Sequence, residues 1–120
     1  MSINHAVLRG TLSSDPDIRT LASGTTLASL QLTTRPESGP AMSVPVSIAE
    51  PSAWVTNLVA GDAIIVIGAV RRRFFRAGGA TASRVEVEAA EVIRANDKRA
   101  IRRVARNAQR IVDELIGPAA

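Results

Sequence analysis

The hydrophobic period of this chain changes once, at Asp97, and that change limits what it can fold into. Before it, apolar residues recur at every second position in short runs. After it, Ile101, Val104, Ala108, Ile111 and Leu115 recur at spacings of three and four. The first pattern puts apolar side chains on one face of a strand, and the second puts them along one seam of a helix. The chain is therefore expected to build a set of strands and then add one amphipathic helix.

The strands can be placed from their alternation and punctuation. Over residues 5–12, Ala6, Leu8 and Leu12 share one parity, opposite His5, Arg9 and Thr11. Ser14-Asp15-Pro16-Asp17 reads as a turn, because proline presets φ and the aspartates bond the local backbone. A short strand over 18–21 meets a hairpin signal at Ser23-Gly24, and residues 25–34 follow with Ala28, Leu30 and Leu32 on one parity. Residues 35–40 form a polar loop. Residues 42–48 alternate again, with Pro45 marking an edge or a bulge because it cannot donate to a ladder. Glu50-Pro51-Ser52 opens a short helix carrying Ala53, Trp54, Asn57 and Leu58, which Gly61-Asp62 should stop. A long strand over 63–75, a loop at 77–80 and a last strand over 82–93 complete the set. Asp97 is a fair N-cap for the final helix, and Gly117-Pro118 ends it.

Five longer strands, beside the short one over 18–21, with a short helix ahead of the last long pair describe an all-β fold: a five-stranded Greek-key OB-fold barrel with an added C-terminal helix. The expected division is residues 1–96 for the barrel and 97–120 for the helix.

Composition narrows the chemistry. With 120 residues there is room for one core and one appended element, and 46% hydrophobic content favours folding over disorder. The absence of cysteine removes disulfides, thiolate metal sites and a cysteine nucleophile, and His5 is the single histidine. Cofactors and metals are not expected. Neither is catalysis, since the carboxylates at Asp15/Asp17 and Glu86/Glu88/Glu91 read as a turn and a solvated strand face. No apolar run approaches the ~20 residues that span a bilayer, so the expectation is a cytoplasmic protein without membrane contact. Residues 1–96 hold nine arginines against eight carboxylates, whereas 97–120 hold six basic residues against three acidic ones. Arginine forks suit phosphates and stack on bases, which makes an anionic partner plausible.

Several linked motifs resemble bacterial single-stranded DNA-binding proteins. Asn4-His5-Ala6-Val7-Leu8-Arg9-Gly10-Thr11-Leu12 is similar to that family's N-x-V/A-x-L-x-G-x-L strand. Asp15-Pro16-Asp17-Ile18-Arg19 resembles its D-P-E-x-R turn, and Ser23-Gly24-Thr25-Thr26-Leu27-Ala28 its S-G-x-x-V-A hairpin. Ala60-Gly61-Asp62-Ala63-Ile64-Ile65-Val66-Ile67-Gly68 resembles its glycine and V-x-V-x-G strand, and Arg71-Arg72-Arg73-Phe74-Phe75 its R-x-R-x-W/F segment. The match covers about residues 4–93 and is nearest to a short actinobacterial-type paralogue.

The resemblance implies sequence-tolerant binding of single-stranded DNA by a homo-oligomer, a tetramer or dimer, of OB barrels. Such binding combines a basic groove with aromatic faces for the bases. Arg71, Arg73 and Phe75 share one parity and take the role of the family's contact residues, with Arg76, Arg84, Arg35 and Arg9 extending the path. Phe74 is assigned to the core. The aromatic part is thin: Ser38, Ala41 or Met42, and Ser47 stand where the family commonly has rings, and Trp54 falls in the short helix. Weaker or lost binding is the expected consequence.

Ile65 and Ile67 continue the parity of the arginines, so the long strand is apolar on both faces and needs a second cover. A partner subunit or the final helix can supply it. Ile65, Ile67, Ile101, Val104, Ala108, Ile111 and Leu115 are the expected oligomer contacts. The helix also carries a basic back of Lys98, Arg99, Arg102, Arg103, Arg106 and Arg110. It is open to three uses: docking on its own barrel, self-association, or an extra phosphate-binding surface. The family's acidic enzyme-recruiting tip is not found, so recruitment by that route is not expected. The competing function is a protein-interaction adaptor like the primosomal proteins of this fold.

Overall fold

The computed structural model describes residues 2–117. Eight elements follow one another: β1 (Ala6–Leu12), β2 (Asp17–Thr20), β3 (Thr26–Thr34), β4 (Met42–Ala49), α1 (Ala53–Thr56), β5 (Ala63–Ala77), β6 (Ala80–Arg94) and α2 (Lys98–Ile116). The strands pair in the order β1-β5-β6-β4-β3-β2, and a further β1–β3 pairing closes five of them into a ring. β1 divides its length between neighbours, running along β5 from Ala6 to Thr11 and meeting β3 at Thr11 and Leu12. The β4–β6 pair is parallel and spans only Val46↔Val87 and Ser47↔Glu88. This is the OB barrel expected from the strand pattern. The short strand β2 is a sixth, hydrogen-bonded to β3 alone and lying outside the ring.

Parity decides the core. Leu12, Ala28, Leu30, Leu32, Val46, Ile64, Val66, Val87 and Val92 point inward and are buried together, with Val55 of α1 and the half-buried Trp54 and Leu58 closing one end. Two glycines allow the ring to close. A Cβ on Gly10 would sit 2.1 Å from the Thr33 carbonyl oxygen, and one on Gly68 2.1 Å from that of Glu88. Gly68 lies where the β5–β6 register slips, between Ile67↔Glu91 and Gly68↔Ala89. These are the glycines of the L-x-G and V-x-V-x-G motifs, and close backbone approach is the reason for both.

Two local readings change. The short helix ends at Thr56, before the glycine expected to stop it. Beyond it two amides are taken by side chains: Val59 N–H donates to Asp62 Oδ2 and Ala60 N–H to Asp15 Oδ1, each at 2.9 Å. Phe74, assigned to the core, is 71% exposed. β1 leaves β5 at Gly68 and β4 leaves β6 at Val87 on the tip side, so the rest of the β5–β6 hairpin is a two-stranded arm with no strand across it. Pro45 pairs with Gln31 where β4 has no neighbour on its other side, which fits the edge reading.

α2 starts with Asp97 accepting from the Ala100 N–H at 3.1 Å. Its N-terminal half docks on the barrel's outer surface, where Val104, Ala100 and Ile101 pack against Ile65, Ile67 and Ile93. Of the two covers open to the long strand, the chain's own helix fills this position. Ala108 and Ile111 are half-buried, and Leu115 and Ile116 are exposed at the distal end. Pro118 lies outside the described residues. Among the described residues, no helix is long and apolar enough to cross a membrane.

Candidate nucleic-acid interface

The two-residue loop Gly78-Gly79, with φ of 57° and 81°, fixes the register of the arm. It sets Arg71 opposite Glu86, Arg73 opposite Arg84 and Phe75 opposite Ala82. Directly opposed residues share a face. Three guanidiniums and one half-exposed ring therefore lie on one side of the arm, as the parity of Arg71, Arg73 and Phe75 required. Arg72, Phe74 and Arg76 are on the other side, Arg76 facing Thr81 and Arg72 donating to Ser83 Oγ at 3.0 Å. Arg9 and Arg35 are not part of this cluster. They line a separate groove with Val7, Leu8, Thr34, Pro36, Met42 and Val44.

The arm's arginines are not bare. Arg71 pairs with Glu88. Arg73 Nε lies 2.7 Å from Glu86 Oε1, in an ion-pair contact too poorly aligned to count as a hydrogen bond. A second nitrogen of Arg73 is 3.8 Å from Glu88. Glu86, read from sequence as part of a solvated face, is only 2% exposed. It sits at the root of the arm, near where β6 rejoins β4. The Gly78-Gly79 loop places Glu86 across from Arg71, but its burial follows from the junction of β4 with β6, which no local pattern shows. Arg84 has no acidic partner among the described residues and faces Arg73, a like-charge pair that an anion between them would relieve.

The arginine face runs on into the barrel through Ala69, Glu88 and Ser47, and from there to Ser29 on β3. Gln31 with Pro45 and Thr33 with Ser43 continue it. Small polar groups occupy this strip, and the Ser47 hydroxyl is buried without a partner. Trp54 is elsewhere, packed on the core with the Arg94 guanidinium 4.6 Å from its ring centroid. Asn4 anchors the arm's root: its amide donates to the Val70 carbonyl and accepts from the Val70 N–H, both at 2.8 Å. On α2, Arg103 donates to Glu91 at 3.0 Å. That hydrogen bond first, and the Glu91 charge second, raise its guanidinium above the ordinary arginine value. Among the described residues, no group of three or more His, Cys, Asp or Glu side chains is placed to hold a metal ion.

No family model matches this chain, and no curated protein matches it. Among solved structures, the crystal structure of a deletion mutant of the single-stranded DNA-binding protein from Thermus aquaticus superimposes with a TM-score of 0.66. It is 27% identical and covers 80% of this chain, while the match takes in 42% of that protein's chain. The likeness relates this barrel to the OB fold of single-stranded DNA-binding proteins.

Proposed function

We infer that this chain binds single-stranded DNA without strong sequence preference, in the service of replication, recombination or repair. The observation that carries the reading is the cluster of Arg71, Arg73, Arg84 and Phe75 on one face of the β5–β6 arm. That face is continuous with a polar strip on the barrel. Guanidiniums hold the phosphates and Phe75 offers one stacking surface, with small polar side chains leaving room for bases along the strip. The likeness to a single-stranded DNA-binding protein supports the same reading. Arg76 flanks the arm, and Arg9 with Arg35 offers a second stop for the backbone.

Replacing Arg71 and Arg84 together by alanine tests the arm without stripping the buried Glu86 of its partner. Two lost phosphate contacts should flatten the dependence of log affinity on log salt by about 1.4 for a single strand. Anisotropy of labelled oligo-dT at several salts reads this directly, and an unchanged slope removes the arm from the path.

Self-association belongs to the same proposal. The seam of α2 is buried at Val104 and beside Ile65 and Ile67, while Leu115 and Ile116 remain open beyond it. A second copy joined at this distal end is expected to give a dimer or tetramer mass in sedimentation equilibrium. A monomer mass at all concentrations contradicts it.

A further inference from the structure

The formal net charge of +4 resides wholly in α2. Lys98–Ile116 holds six basic and two acidic residues, and the rest of the chain holds nine of each. Several of the barrel's arginines are engaged: Arg19 with Asp17, Arg71 with Glu88, Arg73 with Glu86, and Arg94 over Trp54. On α2, Arg103 pairs with Glu91 and Arg110 with Glu114. Lys98, Arg99, Arg102 and Arg106 are exposed, with no ion-pair or hydrogen-bond partner among the described residues.

At ~100° per residue these four side chains fall within about 100° of arc, and Lys98 to Arg106 spans about 12 Å. The opposite side of the helix holds Ala100, Ile101 and Val104, pinned on Ile65, Ile67 and Ile93. The stripe therefore faces outward in a fixed orientation. Lys98 and Arg99 stand in the first turn, where the helix dipole disfavours positive charge; the Asp97 cap meets that end of the dipole, but the first turn itself holds no acidic residue. Helix stability does not explain them there, whereas an anion held at that end gains from both charge and dipole.

No aromatic residue lies on α2. Its stripe can grip phosphates but cannot stack a base, so it does not distinguish paired from unpaired strands. A duplex carries one charge per ~1.7 Å of axis, twice the density of one strand, and is the stronger ligand for such a surface. We propose that α2 is a second nucleic-acid surface that binds the backbone of duplex DNA, separate from the single-strand path on the β5–β6 arm. This goes beyond the single-strand reading and stands without it.

The full-length chain carrying Lys98→Gln, Arg99→Gln, Arg102→Gln and Arg106→Gln is compared with the unaltered protein on a short blunt duplex and on oligo-dT. All four positions are exposed, and thermal melts confirm that the fold is kept. The unaltered protein should bind the duplex with a log–log salt slope reaching about −3 to −4, the value for four phosphate contacts. The variant should lose that slope and at least about thirtyfold in duplex affinity at low salt, while oligo-dT binding falls less than about fivefold. Unchanged duplex affinity in the variant overturns the proposal, as does failure of the unaltered protein to bind duplex. Equal losses on duplex and oligo-dT also overturn it, because α2 would then be part of the single-strand path. Loss of duplex binding in a protein that never bound oligo-dT supports α2 and rejects the single-strand reading alone.

Discussion

Gly68→Ala is expected to cost about 3 kcal/mol or more of folding stability, a loss large for a single methyl group. The added Cβ would lie 2.1 Å from the Glu88 carbonyl oxygen and 2.9 Å from Ala89 Cα. Both obstacles are backbone, so no side chain can rotate away. Relief requires β5 and β6 to separate at the register slip. The slip lies between the core pair Val66↔Val92 and the arm's root at Val70↔Val87. For a domain of this size the melting temperature should fall by roughly 10 °C or more. Gly78→Ala is the control. Its φ of 57° is strained for alanine, but nothing lies within 4 Å of the new atom, so the cost should stay near ~1 kcal/mol. Equal melting temperatures for the Gly68 variant and the unaltered protein would show that this close approach is not real.

The second large effect separates binding from folding at one residue. Arg73→Met leaves the Glu86 carboxylate 2% exposed and without its guanidinium. Breaking a buried pair costs ~3–5 kcal/mol, and the 37% exposure of the Arg73 side chain lowers the expectation to about 2 kcal/mol. Adding Glu86→Met should restore stability to within about 1 kcal/mol, because two apolar groups of similar length can replace a buried ion pair. Oligo-dT affinity should not return with it, since the phosphate-binding charge is still missing. Denaturant melts and anisotropy on the single and double variants measure both quantities. Affinity that tracks stability through the series would make Arg73 structural and leave Arg71 and Arg84 as the arm's contacts.

Most of the barrel was legible because its strands are half-buried, so their alternation declares which side is core. Leu30 and Leu32 on β3, the Gly78-Gly79 loop and the Asp97 cap all act locally. Phe74 was not legible. Its parity is that of the core, but its environment depends on where β1 and β4 stop pairing with the last two strands, which no local pattern shows. Glu86 was hidden similarly: alternation assigns it the outer face, and only the junction of β4 with β6 makes that position buried. α1 ends early: the Leu58 amide already turns to the Val55 carbonyl, and Asp15, far away in sequence, takes the Ala60 amide. The cover over Ile65 and Ile67 was left between two candidates, since an apolar outer face states that it must be covered but not by what. At the site, parity alone brought Arg71, Arg73 and Phe75 together, while their glutamate partners required the register.

Titration of labelled oligo-dT with the intact protein at several salt concentrations, in the presence and absence of unlabelled duplex, bears most directly on single-strand binding by this barrel. Salt-sensitive binding of oligo-dT that survives excess duplex is the expected result, because Phe75 and the polar strip engage unpaired bases that a duplex does not offer. No binding at low salt, or complete displacement by duplex, would contradict it and leave the barrel as a scaffold for protein contacts.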